Sequence, residues 1–141
     1  MSSTEFDDPS HEPLPLDDDL RAALARLGYE FQAEFLGIAV RTRDEDPNLI
    51  SDLANALTRV GRFEEGLALD RRVVELDPDC PIARYNLACS LSLTGALDAS
   101  LDELARAVDL GYCDYESART DPDLEAVRAR PEFADLFGRA S

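Results

Sequence analysis

The 141-residue chain has no lysine, one histidine, and three cysteines that form no C-x-x-C pair. Each shortage removes a chemistry. Without lysine there is neither a P-loop phosphate grip nor a Schiff-base nucleophile. The one imidazole, His11, lies in an acidic, proline-bearing stretch, a poor place to hold a base within reach of a serine or cysteine. Structural zinc wants four closely spaced Cys or His ligands, and Cys80, Cys89 and Cys113 do not supply them. The odd cysteine count, with no secretion signal, points to reduced, half-buried thiols. Glycines stand singly, so no G-x-G-x-x-G turn seats a dinucleotide. No apolar run approaches the ~18 residues of a membrane span, and nothing alternates with period two for long enough to suggest a strand. The sequence therefore predicts no catalytic residues, no metal and no cofactor.

What is abundant is acid. Thirty Asp and Glu against fourteen Arg give a formal charge of −16. Seven of the acids fall in the first 19 residues, where there is no base. That is the opposite of a signal peptide's basic start, so a cytoplasmic protein is expected. Such a field repels nucleic acid and anionic lipid over a Debye length of ~8 Å. It would attract a basic partner, although solubility alone also accounts for it. Acid runs at Asp44-Glu45-Asp46 and Asp77-Pro78-Asp79 fall between helical segments, where caps and the helix dipole explain them. They lack the alternating ligands and glycine of a calcium loop.

The chain is the right length for one domain. Residues 1–16 hold three prolines and few apolar side chains, and an acidic disordered tail is expected there. Beyond it a repeat appears. Pro47 recurs as Pro81, Leu53-Ala54 as Leu87-Ala88, Leu57 as Leu91, Gly61 as Gly95 and Leu67 as Leu101, all at 34 residues. Ile50, Leu53, Ala54, Leu57 and Val60 form a helical stripe, opened by Asp46-Pro47 and stopped by Gly61. A second helix carries Phe63, Leu67, Val73, Val74 and Leu76. The next unit repeats the plan with Leu87, Ala88 and Leu91, a stop at Gly95, then Leu97, Leu101, Leu104 and Val108. Neither hairpin can cover its own stripe, so neighbours must stack. Upstream, Leu20, Leu24 and Leu27 predict a short helix broken at Gly28, with Phe31, Phe35 and Ile38 starting another. Downstream, 111–118 reads as irregular, followed by helices at Asp121-Pro122 and Pro131 that close the stack. The expected layout is a degenerate repeat at 17–46, repeats at 47–80 and 81–112, and a cap at 113–141.

The segments GRFEEGLALDRRVVELDP (61–78) and YNLACSLSLTGALDASLDELARAV (85–108) resemble the tetratricopeptide repeat family. DPDLEAVRARPEF (121–133) is similar to the ending of many bacterial proteins whose last repeat precedes a short cap. The family's aromatic in the first helix is replaced by Ile50 and Arg84, its small residue in the second helix is Gly66 or Ser100, and the second unit's closing proline is Tyr112. The resemblance implies an all-α, right-handed superhelical solenoid of about three helix hairpins plus capping helices.

It also implies that the first helix of each pair lines a concave groove. The matching positions include Asn48, Ser51, Asn55, Thr58 and Arg59 in one unit, and Ile82, Tyr85, Cys89, Ser92 and Leu93 in the next. Lying off the apolar stripe, they are expected to be comparatively exposed. Asn55 and Asn86 can hydrogen-bond an extended peptide or bridge adjacent helices. Tyr85 can pack on the peptide's side chains, and Arg59 can take a carboxylate. Ser51 stands where some members carry a carboxylate-clamping lysine, so that clamp is not expected. The favoured reading is a non-enzymatic scaffold or adaptor for a protein or peptide whose identity the sequence does not give, with no nucleic acid or membrane partner; the oligomeric state, monomer or weak dimer, is left open. The alternatives are a small acidic secretion or assembly chaperone and a self-associating structural protein. An enzyme ranks last.

Overall fold

The computed structural model describes residues 18–42 and 46–138, and among them every regular element is helical. The expected tail at 1–16 and His11 lie outside the described residues. The elements are α1 (Asp18–Thr42), α2 (Pro47–Arg59), α3 (Phe63–Leu76), α4 (Pro81–Leu93), α5 (Leu97–Asp109), α6 (Tyr115–Thr120), a 3₁₀ turn (Pro122–Leu124), α7 (Glu125–Arg128) and α8 (Pro131–Phe137). Consecutive helices from α1 to α5 pack side by side.

The local chemistry of the two hairpins is nearly identical. Pro47 and Pro81 open α2 and α4, where the missing N–H costs no hydrogen bond. The Asp46 carboxylate caps α2 by accepting from the Asn48 N–H at 3.0 Å. At the other end Gly61 takes φ 86°, so the Arg62 N–H donates to the Leu57 carbonyl at 2.9 Å and its own N–H to that of Thr58 at 3.1 Å. Gly95 does the same at φ 85°, with Ala96 donating to Leu91. These paired bonds satisfy carbonyls that the helix end leaves free.

The small residues of α3 and α5 set how closely each pair approaches. A Cβ on Gly66 would lie 2.7 Å from Thr58 Oγ1 and 3.2 Å from the Ala54 carbonyl. The equivalent in the next unit, Ser100, is fully buried and donates its hydroxyl to the Ala88 carbonyl at 2.7 Å. Ile50, Leu53, Ala54, Leu57 and Val60 are buried as the stripe requires, as are Leu87, Ala88, Leu91, Leu101 and Leu104. The C-terminal helices close over α4 and α5 with Leu124, Val127, Phe133 and Phe137 in one core cluster with Tyr85, Leu101 and Tyr112.

Two expectations are corrected. Gly28 does not break a helix: α1 runs without interruption from Asp18 to Thr42. A glycine inside a helix costs only about 1 kcal/mol, and no turn here forces φ positive, as one does at Gly61. The described residues thus form two hairpins, α2–α3 and α4–α5, with α1 as a single helix on one side, rather than three hairpins. The stretch 111–118 is not wholly irregular either, since Asp114 caps α6 through the Ser117 N–H at 3.1 Å.

The uninterrupted α1 carries apolar side chains on two opposite faces. Ala33 and Leu36 pack against Leu53, Ala56 and Leu57. The opposite face carries Leu27, Phe31, Phe35 and Ile38 at helical spacing, with Phe31 73% and Phe35 63% exposed.

Candidate functional site

The anticipated groove positions fall on the faces of α2 and α4, and the structure divides them into two groups. Asn48, Asn55 and Arg59 are exposed, while Ser51 and Asn86 are half-buried. Tyr85, Cys89 and Ser92 are buried, against the expectation of exposure, because the C-terminal cap folds back across α4.

Asp121 organises that closure. Its Oδ2 accepts from the Tyr85 hydroxyl at 2.7 Å and its Oδ1 from the Asp123 N–H at 3.0 Å, which caps the 3₁₀ turn. Arg128 donates to the Asp121 carbonyl. Tyr112 stacks on the Tyr85 ring with centroids 4.5 Å apart and planes inclined by 7°. Next door, the Arg59 guanidinium pairs with the Asp123 carboxylate. Arg59 therefore holds a carboxylate as its chemistry suggested, but one belonging to the chain itself.

Burial, then the Cys89 and Asp121 neighbours, push the Tyr85 phenol above its ordinary range, so it remains a donor. Burial and Asp121 likewise raise the Cys89 thiol, which is protonated and poorly nucleophilic. All three cysteines are free. Cys80 is half-buried, Cys89 buried and Cys113 exposed, so only the first matches the half-buried expectation.

Between α2, α3, α4 and the 3₁₀ turn remains a polar cavity of about 280 Å³. Ser51, Asn55, Asn86 and Arg59 line it. Among the described residues, neither the Asn55 nor the Asn86 side chain hydrogen-bonds a protein group, so the helix bridge that would make them purely structural is not formed.

Among the residues lining the cavity is Asp70 on α3, only 5% exposed. It accepts from the Ser90 hydroxyl at 2.5 Å. Burial outweighs that bond and pushes its carboxyl up to about 6. Sequence reasoning did not single this residue out, although the internal register carries the signal: 34 positions on stands Leu104, which is fully buried. An acid thus occupies a core leucine's place. Its donor Ser90 likewise corresponds to Ala56 in the preceding unit.

No protein-family model matches the chain. Among curated proteins it is similar to a chloroplastic protein of Arabidopsis thaliana, 30% identical over 103 residues that make up 70% of this chain and 31% of that protein. It is also similar to "TPR repeat-containing thioredoxin TTL4" of the same organism, 32% identical over 85 residues, which are 60% of this chain and 12% of that protein. The chain thus spans a minor part of the length of both relatives, and its likeness to a repeat-containing protein is joined by an all-helical fold of packed helix pairs.

Proposed function

We propose that the chain is a protein-interaction module without catalysis of its own, binding an extended peptide segment of a partner across the α2–α4 face. The observation that carries this reading is the pair Asn55 and Asn86, whose amides border one cavity while no protein group engages them. An extended peptide offers the carbonyls and N–H groups that such amides pair with. The likeness to a protein whose name specifies tetratricopeptide repeats supports it. Because the cap covers Tyr85 and Cys89, the usable surface is Asn48, Ser51, Asn55, Arg59 and Asn86. Among the described residues no helix is long and apolar enough to cross a membrane.

The test is affinity capture from the native host with wild type, Asn55→Arg and the control Asp102→Arg, at an exposed position of α5. Partner recovery should be lost with Asn55→Arg and kept with the control. Equal recovery by all three would eliminate the α2–α4 face.

A second reading, self-association, draws on the exposed row Leu27, Phe31, Phe35 and Ile38. An apolar stripe on one helix is self-complementary about a two-fold axis. Sedimentation should then show a dimer that Phe31→Ser with Phe35→Ser dissociates; a wild type that stays monomeric at every concentration ends this reading.

A further inference from the structure

Resting on the peptide-binding reading, we infer that the cavity behind Asn55 and Asn86 is a cation pocket, taking a guanidinium or ammonium group of the partner against the Asp70 carboxylate. Buried acids are ordinarily paired with a cation or several donors, because a charge withdrawn from water is otherwise costly. Asp70 has neither. Its only hydrogen bond among the described residues comes from Ser90 through Oδ2, and no cation among them lies within 4 Å of it. The position could have been leucine, as Leu104 shows in the adjacent unit. The acid instead stands at the wall of a cavity open to solvent.

The groups around it fit the assignment. From α2 come Asp52, Asn55 and Arg59; from α4, Asn86, Ser90 and Cys89; from the cap, Asp123. Arg59 is already engaged by Asp123, which among the described residues leaves Asp70 and Asp52 as carboxylates without a cation. The two amide oxygens supply further acceptors for N–H groups. Cys89 brings no charge, since its thiol is raised by burial. An arriving guanidinium would find the Asp70 carboxylate and the amide oxygens of Asn55 and Asn86 as acceptors, with the lining Arg59 already neutralised by Asp123. The surrounding field of a chain at −16 favours its approach.

The experiment titrates isotope-labelled full-length protein with four short probes and follows the Asn55 and Asn86 side-chain amide signals. Two probes are end-blocked alanine pentapeptides with a central arginine or lysine. The third is unblocked alanylalanine amide, which offers only a terminal ammonium, and the fourth is the blocked peptide with central glutamate. Saturable shifts at both amides are expected with at least one cationic probe and none with glutamate; which cation saturates tells side chain from chain terminus. Asp70→Asn, of the same shape, should weaken binding at least tenfold. Asp52→Arg at the exposed rim should abolish it, while Asp102→Arg, with the same change of net charge, should leave it within twofold. Shifts that never saturate, or equal weakening by Asp52→Arg and Asp102→Arg, would overturn the assignment as mere charge attraction. A host partner that binds Asp70→Asn as tightly as wild type, yet is lost with Asn55→Arg, would also overturn it while leaving the peptide-binding reading intact.

Discussion

The Tyr85 hydroxyl donates to Asp121 Oδ2 across 36 residues of sequence, at 2.7 Å, and so fastens the C-terminal cap onto α4. A buried hydrogen bond to a charged acceptor is worth about 1.5–3 kcal/mol. Tyr85→Phe should lower the urea unfolding free energy by about that amount, whereas Tyr85→Ala, which also removes the ring stacked on Tyr112, should cost about 3–5 kcal/mol. A Phe variant as stable as wild type would show that the bond does not hold the cap.

Asp70 gives stability an inverted pH dependence. Its folded carboxyl titrates at about 6, against an ordinary value of 3.8. Between those values the folded state binds more protons than the unfolded state, so this residue's contribution falls as pH rises from about 4 to 6. At about 1.4 kcal/mol per pH unit of displacement, the loss is on the order of 3 kcal/mol. Asp70→Asn should therefore be more stable than wild type at pH 7, with the difference shrinking towards pH 4. Chemical denaturation of both proteins across that range checks it; a constant difference would mean that Asp70 is not the titrating group.

Two glycines should respond oppositely to alanine. Gly28 lies within α1 and a Cβ there meets nothing within 4 Å. Gly28→Ala should stabilise by up to about 1 kcal/mol. Gly61, at φ 86°, should lose about 1–2 kcal/mol as alanine. Thermal unfolding midpoints moving in the same direction for both would contradict a continuous α1.

Ser100→Ala should cost about 1 kcal/mol by removing the bond to the Ala88 carbonyl. Ser100→Leu should do far more damage, because the site is fully closed and overpacking forces α4 and α5 apart. Comparable unfolding midpoints for the two variants would refute tight packing at this crossing.

The hairpins α2–α3 and α4–α5 are legible from sequence because three signals coincide in each: a proline start, a 3.6-residue stripe and a glycine stop. Gly28 misleads because a lone glycine is ambiguous; Gly61 and Gly95 end helices because the next N–H reaches back to a free carbonyl. The burial of Tyr85 and Cys89 is not legible, since the return of 121–124 onto α4 has no periodic trace. Asp70 is missed because the search for a repeat looks for matches. Its mismatch with Leu104, rather than any match, is what distinguishes the two units at that register.

Phe133 and Phe137 of the cap are buried against the rest of the core, while Phe31 and Phe35 stand bare along α1. Among the described residues the array thus has direction: the apolar side of α5 is covered by α8, whereas the outer side of α1 keeps its aromatic rings in contact with water.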